Sequence, residues 1–419
     1  MDQAEQAPFT PGERRRLDAL RAIASIPTAP YHEELVAGHV RRYLGKIGLT
    51  PRRDACGNLI VEYRGGSATS TVGQPPVALV AHLDHPGFEI ESTSGAGRAT
   101  ATLLGGVPIA CFERPVPVRV FLQSGIGARA GAPSEVRGRI VGREVGAARS
   151  IRLEVQLDEP EALDALDECK PKPASVGTEL VAPGDFGIFD LPDYREEGDL
   201  VHLRAAEDLA GCAAILLTLE ALVAVKSQTH VFGVFTRAEE TGFVGAAALA
   251  QAGLLPPETL VVSLETSREL PGVLIGQGPV IRVGDRRRTF SQEAEEVLVS
   301  AYERLQHAGT KAPPGARPVL VQRQLMSGGA CEATAFGLLG YRATGLVLAL
   351  GNIHNVGPEN EIVPERISAR DFLTEVDLLV EAVSGIGLPR DQQSAGLLEA
   401  AAEQRSRLVA TAGRFDQFD

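Results

Sequence analysis

Helical and extended patterns alternate along the second half of the chain, and this alternation constrains the fold more than any other feature. Helical patterns cover 208–225, 242–252, 291–308 and 368–386. Short apolar runs suited to buried strands cover 231–236, 259–264 and 344–350 there, and a further run lies at 77–81 in the first half. Such alternation is typical of a mostly parallel sheet covered by helices on both sides. We therefore predict an α/β fold with a mostly parallel sheet sandwiched by helices.

The first half of the chain has a different texture. Residues 12–47 predict two helices separated at 27–30, where prolines interrupt the apolar spacing. From 89 to 195 the chain carries glycine- and proline-punctuated strand candidates, at 118–122, 136–141 and 151–155. We predict a small β-barrel or PDZ-like domain at 89–195, inserted into a catalytic domain formed by 1–88 and 196–388, with a tail at 389–419.

Composition narrows the class of protein. The 419 residues are 44% hydrophobic, yet no apolar run approaches the roughly 20 residues of a membrane helix and the first residues lack a signal-peptide pattern. A net charge of -13 disfavours nucleic acid as a partner. The five cysteines are scattered and odd in number, which predicts reduced thiols. We expect a cytoplasmic protein that binds neither nucleic acid nor membrane.

Polar side chains that can bind metal follow the predicted strands. They are His82 with Asp84 after 77–81, Glu239 with Glu240 after 231–236, Glu265 after 259–264, His354 after 344–350, and Glu207 with Asp208 at a helix start. Ligands of open parallel sheets bind outside the carboxyl ends of the strands. Each group alone has an ordinary explanation as a helix cap, a solvated pair or a hydrogen-bonded histidine.

Together these groups predict a metal site. So many carboxylates at one edge would repel one another without cations, and two divalent ions would remove that repulsion. Imidazole and carboxylate ligands suit zinc, with cobalt or manganese as alternatives. A spare carboxylate beside a ligand can serve as general base, and Asp84 can fix the His82 ring through a hydrogen bond.

The motifs resemble those of the M42 family of metallo-aminopeptidases. The similar segments, in order, are 81–88 (AHLDHPGF), 204–212 (RAAEDLAGC), 237–246 (RAEETGFVGA), 264–266 (LET) and 352–355 (NIHN). The resemblance extends over about 12–385. It implies that His82, Glu207 and Glu265 hold one metal and that Glu207, Glu240 and His354 hold the other. It also implies that Glu239 is the base and that Asp84 orients His82.

This sequence departs from the family pattern at several positions. Glu207 and Glu265 stand where aspartate is usual, which leaves open whether Glu207 or Asp208 bridges the metals. His85 replaces an acid, and it either reaches the metal or substrate or lies behind the site. Glu332 falls in the segment that corresponds to a Gly-Thr-Asp motif. These departures predict a divergent branch of the family.

The leading functional hypothesis is a two-metal aminopeptidase that removes N-terminal residues from short peptides or small amides. The resemblance also implies a homo-oligomer, with a dodecamer as one expected form. An M20-like amidohydrolase that cleaves N-acyl amino acids or dipeptides is the alternative, although the predicted insertion precedes the Glu-Glu motif and is β-rich. A metal-binding scaffold of weak activity is the third reading, and the retained Glu239 counts against it.

Overall fold

The computed structural model describes residues 9–66, 74–95, 97–123, 134–146, 150–158, 181–309, 318–386 and 393–412. The helices are α1 (Pro11–Ala24), α2 (Glu34–Lys46), α3 (Leu209–Val225), α4 (Val244–Gln251), α5 (Gln292–Gly309), α6 (Glu332–Leu338), α7 (Ala369–Ser384) and α8 (Gln393–Ala412). The strands are β1 (Arg52–Arg53), β2 (Leu59–Arg64), β3 (Val77–His82), β4 (Gly87–Ser94), β5 (Arg98–Leu104), β6 (Val116–Phe121), β7 (Glu135–Val145), β8 (Ile151–Leu157), β9 (Phe186–Phe189), β10 (Tyr194–Glu197), β11 (Leu200–Leu203), β12 (His230–Thr236), β13 (Leu260–Arg268), β14 (Val280–Gly284), β15 (Gln322–Leu325), β16 (Arg342–Leu350) and β17 (Glu365–Ser368).

An eight-stranded sheet forms the centre of the molecule, in the order β1-β2-β12-β3-β13-β16-β14-β15. Its four central strands, β12, β3, β13 and β16, run parallel to one another. Strands β2 and β14 pair antiparallel on either side of this block. The carboxyl ends of the four central strands therefore lie along one edge, which is where a site is expected in an open sheet.

Both faces of the central sheet are covered by helices. In β3, Val77, Leu79 and Ala81 belong to the large core shared with α1, α2, α3, α5 and α7. The alternate residues Ala78 and Val80 pack into a second core with α4 and α6. Successive side chains of a strand point to opposite faces, so a run that is buried throughout must have a layer on each side. The predicted sandwiched α/β fold is confirmed.

A closed barrel of six strands lies between β3 and β10 in the chain. Its strands follow the order β4-β5-β8-β7-β6-β9, and they enclose a separate core that includes Phe88, Val118 and Val155. The predicted inserted β domain is thus a barrel. It begins five residues beyond His82, so the chain passes directly from the sheet edge into the insertion. The division of the chain at 88, 195 and 388 stays a prediction.

Two smaller features complete the description. Strands β10, β11 and β17 form a three-stranded sheet, which brings the start of β17 beside the segment before α3. None of the helices in the described ranges is both long enough and apolar enough to cross a membrane.

Candidate metal and catalytic site

The predicted site residues come together at the carboxyl edge of the central strands. His82 ends β3, Glu239 and Glu240 follow β12, Glu265 lies in β13, Glu207 precedes α3, and His354 lies in a 3₁₀ turn (Ile353–Asn355) after β16. They surround a cavity of about 360 Å³, whose walls include Glu207, Glu239, Glu240, Glu265 and His354. The structure thus brings residues from five separate segments into one place.

His82 lies at the bottom of this cluster and is fully buried. Its Nε2 is 3.3 Å from Oε1 of Glu207 and 3.9 Å from Oε2 of Glu239. Burial opposes protonation of this ring, but the carboxylates of Glu239, Asp84 and Glu207 outweigh it and raise the pKa of His82 well above its usual value. A cation at Nε2 would occupy the position that these carboxylates favour for positive charge.

Glu207, and not Asp208, faces the cluster. Glu207 receives a hydrogen bond at Oε2 from the Thr266 hydroxyl, at 3.1 Å, while its Oε1 faces His82. The side chain of Asp208 instead caps α3, because its Oδ1 accepts the backbone N–H of Gly211 at 3.2 Å. The geometry therefore favours Glu207 where the sequence left the two acids open.

Asp84 has a different contact from the one that the sequence suggested. His82 Nδ1 lies 3.1 Å from the backbone oxygen of Asp84 and 3.6 Å from its carboxylate. The carboxylate accepts two backbone N–H groups, that of Glu239 at Oδ1 (3.0 Å) and that of Glu240 at Oδ2 (3.1 Å). Asp84 thus fixes the His82 ring through its carbonyl and holds the Glu-Glu segment through its side chain.

Glu265 lines the cavity, and Glu332 lies next to it. Glu265 is buried, and burial together with repulsion from Glu207 raises its pKa to about 8. Glu332 begins α6 and donates its backbone N–H to Oε1 of Glu265 at 3.4 Å. Its own carboxyl is fully buried against the Thr236 hydroxyl, and burial raises its pKa to about 7. The sequence singled out Glu332 only as a departure from a motif.

His354 connects the cluster with the barrel. Its Nε2 is 3.1 Å from Oε1 of Glu240, and its Nδ1 donates to the backbone oxygen of Gly106, at 2.9 Å, in the loop after β5. A hydrogen bond of this kind fixes the tautomer that leaves Nε2 free for a cation. Burial opposes protonation of His354, but attraction to Glu240 raises its pKa to about 10.

Glu365, which the sequence did not indicate, joins two of the candidate ligand segments. Its Oε2 accepts the backbone N–H groups of Ala206 (2.8 Å) and Glu207 (3.1 Å), and its Oε1 accepts that of His354 (2.7 Å). No local pattern marks this residue, because its partners are 159 and 11 residues away. It sets the distance between the segments that carry Glu207 and His354.

His85 lies behind the cluster and does not line the cavity. Its Nδ1 donates to the backbone oxygen of Glu207 at 2.6 Å, and its Nε2 is 3.0 Å from Oδ1 of Asn355. Burial and the charge of Arg204 lower the pKa of His85 to about 3. Of the two roles that the sequence left open, the contacts favour a supporting position.

The donor set fits divalent cations. Single ligand atoms of His82, Glu239 and Glu265 all lie within 4.8 Å of one another. Burial raises the pKa of Glu239 well above its usual value, and repulsion from Glu265 and Glu240 adds to this effect. A buried group of carboxylates that raise one another's pKa values is stabilised by positive charge, and imidazole with carboxylate is a zinc-type ligand set.

Comparison with known proteins agrees with this geometry. A family model described as M42 glutamyl aminopeptidase matches residues 168–353, a range that includes Glu207, Glu239, Glu240 and Glu265. No curated protein sequence matches the chain.

Several solved structures share the fold over most of the chain. The TET1 peptidase of Pyrococcus horikoshii is 21% identical, with a TM-score of 0.64 over 88% of this chain and 99% of its own. A TET aminopeptidase from a marine-sediment Thaumarchaeota archaeon is 17% identical, with a TM-score of 0.68 over 89% and 98%. An aminopeptidase of Desulfurococcus kamchatkensis is 21% identical, with a TM-score of 0.67 over 90% and 96%. At these identities the likeness shows the fold.

The fold and the cluster of imidazoles and carboxylates define a peptidase hydrolase of the metal-dependent class. Within that class the chain is similar to the M42 family: the model of M42 glutamyl aminopeptidases matches the segments that carry four of the site residues, and the fold of the TET1 structures extends over most of the chain.

Proposed function

We propose that the chain is an aminopeptidase that removes N-terminal residues from short peptides with two divalent metal ions. In this proposal His82, Glu207 and Glu265 hold one ion, and Glu207, Glu240 and His354 hold the other. The observation that carries the proposal is the convergence of two imidazoles and four carboxylates on one cavity at the sheet edge. Zinc fits this ligand set best, with cobalt and manganese as alternatives.

Bound metal ions would polarise the scissile carbonyl and lower the pKa of the attacking water. The side chain of Glu239 acts as the base. It lines the cavity and is about 9% exposed. Its carboxylate lies 3.9 Å from His82, whereas the Glu240 carboxylate lies only 3.1 Å from His354, so Glu239 is the less tightly paired member of the Glu-Glu pair. In this role it takes a proton from the attacking water and then donates it to the leaving amine.

The acidic walls of the cavity suit a substrate with a free α-amine. A protonated amine is attracted by carboxylates, whereas an N-acylated substrate has no positive charge there.

Two arginines, Arg268 and Arg282, line the same cavity. Arg268 is exposed on its wall, which favours an acidic side chain on the first residue of the peptide, and the description of the matching family as glutamyl aminopeptidase agrees.

We further propose that the protein forms a homo-oligomer in the cytoplasm. One solved TET1 structure is described as a dodecamer, and the Pyrococcus horikoshii TET1 peptidase is described as forming a tetrahedron or an octahedral shell. Four cysteines in the described ranges, Cys56, Cys111, Cys212 and Cys331, form no disulfide, as is usual in a reducing compartment. Sedimentation would measure the assembly.

Metal add-back tests the proposal. Protein stripped with a chelator would receive zinc, cobalt or manganese in steps up to three equivalents, and release of glutamate from a glutamyl peptide would be followed. We expect activity to return and to level off at two equivalents. Glu239→Gln should bind the same metal but lose about 10²- to 10⁴-fold in kcat. Glu220→Gln, in the ion pair of α3 with Arg15, serves as the control. Binding of metal to saturation without any release of glutamate would indicate a metal-binding scaffold.

A further inference from the structure

The segment that carries the proposed base has an unusual backbone. Glu239 and Glu240 are adjacent, yet both side chains line the cavity. Adjacent residues of an extended chain point in opposite directions, so the backbone must leave the strand conformation here. It does so at Ala238, whose φ of +52° lies in the left-handed region that alanine rarely adopts. Something must hold this residue in place.

Glu33 supplies that contact from a distant part of the chain. It lies directly before α2, and its side chain is fully buried. Its Oε1 accepts the backbone N–H groups of Ala238 (3.0 Å) and Tyr31 (2.9 Å), and its Oε2 accepts Nε–H of Arg237 at 2.7 Å. A buried carboxylate that accepts three N–H groups is strongly fixed in orientation.

Arg237 completes the attachment. Besides Glu33, its guanidinium donates to the backbone oxygens of Cys56 (3.0 Å) and Tyr31 (2.9 Å). Its own backbone N–H donates to Oδ1 of Asn58 at 3.0 Å. The residue before the left-handed position is therefore held at both its side chain and its backbone.

Glu33 and Asp84 together hold three consecutive amides. Glu33 binds the N–H of Ala238, and Asp84 binds those of Glu239 and Glu240. We propose that Glu33 is a positioning residue for the reaction: with Arg237 it fixes Ala238 in the left-handed conformation, and it thereby directs Glu239 into the cavity. This inference rests on the proposed function, since it assigns Glu239 the role of base.

Glu33→Gln is the first test. Glutamine keeps the shape but has one acceptor oxygen, because its NH₂ group only donates. It therefore loses either the contacts of Oε1 with Ala238 and Tyr31 or the contact of Oε2 with Arg237. We expect kcat to fall about 10- to 100-fold with KM within about twofold, because misplacement of a base by a fraction of an ångström to 1 Å has an effect of this size. Glu220→Gln, which breaks a partly buried ion pair on the far part of α3, should keep wild-type kcat. Unchanged kcat in Glu33→Gln would overturn the proposal.

A rescue experiment separates positioning from general stability. Glycine adopts positive φ without strain, so Ala238→Gly should restore part of the lost kcat in the Glu33→Gln protein. If Glu33→Gln lowered kcat through a general loss of stability, Ala238→Gly would not restore it, because glycine adds no packing. Absence of recovery would contradict the proposal. If the Glu33 variants do not fold, Arg237→Lys takes their place as the test. Lysine keeps the positive charge but cannot make all three contacts of the guanidinium, so kcat should fall in the same way.

Amide hydrogen exchange tests the clamp independently of activity. In metal-free Glu33→Gln, the amides of 237–241 should exchange up to about tenfold faster than in wild type. The same amides should be unchanged in Glu220→Gln. Faster exchange in a protein whose wild type releases no amino acid would support the clamp while refuting the aminopeptidase function. Unchanged exchange would refute the clamp itself.

Discussion

Replacement of Glu375 by methionine should stabilise the protein. Glu375 lies in α7, its side chain is fully buried, and neither carboxyl oxygen has a hydrogen-bond partner among the described residues. Burial raises the pKa of this carboxyl well above its usual value, and repulsion from Asp371 adds to the effect. Methionine has a similar length and no polar atoms that need partners, so it removes the cost of the buried carboxyl.

The size of the gain depends on pH. A buried neutral polar group without hydrogen-bond partners lowers the free energy of unfolding by about 1–3 kcal/mol, and this contribution is already present at pH 5. Above about pH 4.3 the carboxyl of Glu375 loses its proton in the unfolded chain but keeps it in the folded one. Wild-type stability therefore falls as pH rises towards the folded pKa, by up to about 1.4 kcal/mol per pH unit. The advantage of Glu375→Met should grow between pH 5 and pH 7.

Calorimetric melting of wild type and Glu375→Met at pH 5, 6 and 7 measures this effect. Glu381→Met on the same helix is the control, since Glu381 is partly exposed and pairs with Arg304. That control should lose no more than about 1 kcal/mol and show no growth with pH. A melting temperature of Glu375→Met that is below wild type, or an advantage that shrinks with rising pH, would refute the reasoning.

Three further outcomes follow from the site. Glu365→Gln should weaken zinc binding about 10- to 100-fold in competition with a chromophoric chelator, because one of its contacts to the Glu207 and His354 segments is lost; equal affinity would count against this role. The NMR signals of His85 should show no titration between pH 5 and 8, since its pKa is lowered to about 3, and an inflection there would contradict its buried contacts. Arg268→Ala should reduce kcat/KM for glutamyl peptides about tenfold or more while leaving leucyl peptides nearly unchanged, as peptide kinetics would show; equal losses would remove Arg268 from substrate selection.

The sequence predicted the centre of the fold well because the central strands have strong local patterns. The apolar runs at 77–81, 231–236, 259–264 and 344–350 correspond to β3, β12, β13 and β16. The short strands β10, β14, β15 and β17 were not predicted, because they have four or five residues and mixed polarity. Their positions depend on pairing with distant partners, which no local pattern records.

The site residues also divide into those that a local sequence pattern reveals and those that it does not. The predicted metal-binding residues stand in recognisable motifs, and their spacing placed them at strand ends. Glu33 and Glu365 were not identified, and Glu332 was noted only as a departure from a motif, because their contacts come from segments as far as 205, 159 and 96 residues away. The choice between Glu207 and Asp208 also required the structure, since only there does the Asp208 side chain turn back to cap α3.

The most direct test of the aminopeptidase proposal compares one glutamyl peptide with its N-acetylated twin, using metal-loaded protein and mass spectrometry of the products. The acidic cavity beside His82 and Glu239 predicts release of free glutamate from the peptide with a free amine and no cleavage of its twin. Cleavage of the acetylated peptide alone would contradict the proposal and indicate an amidohydrolase instead.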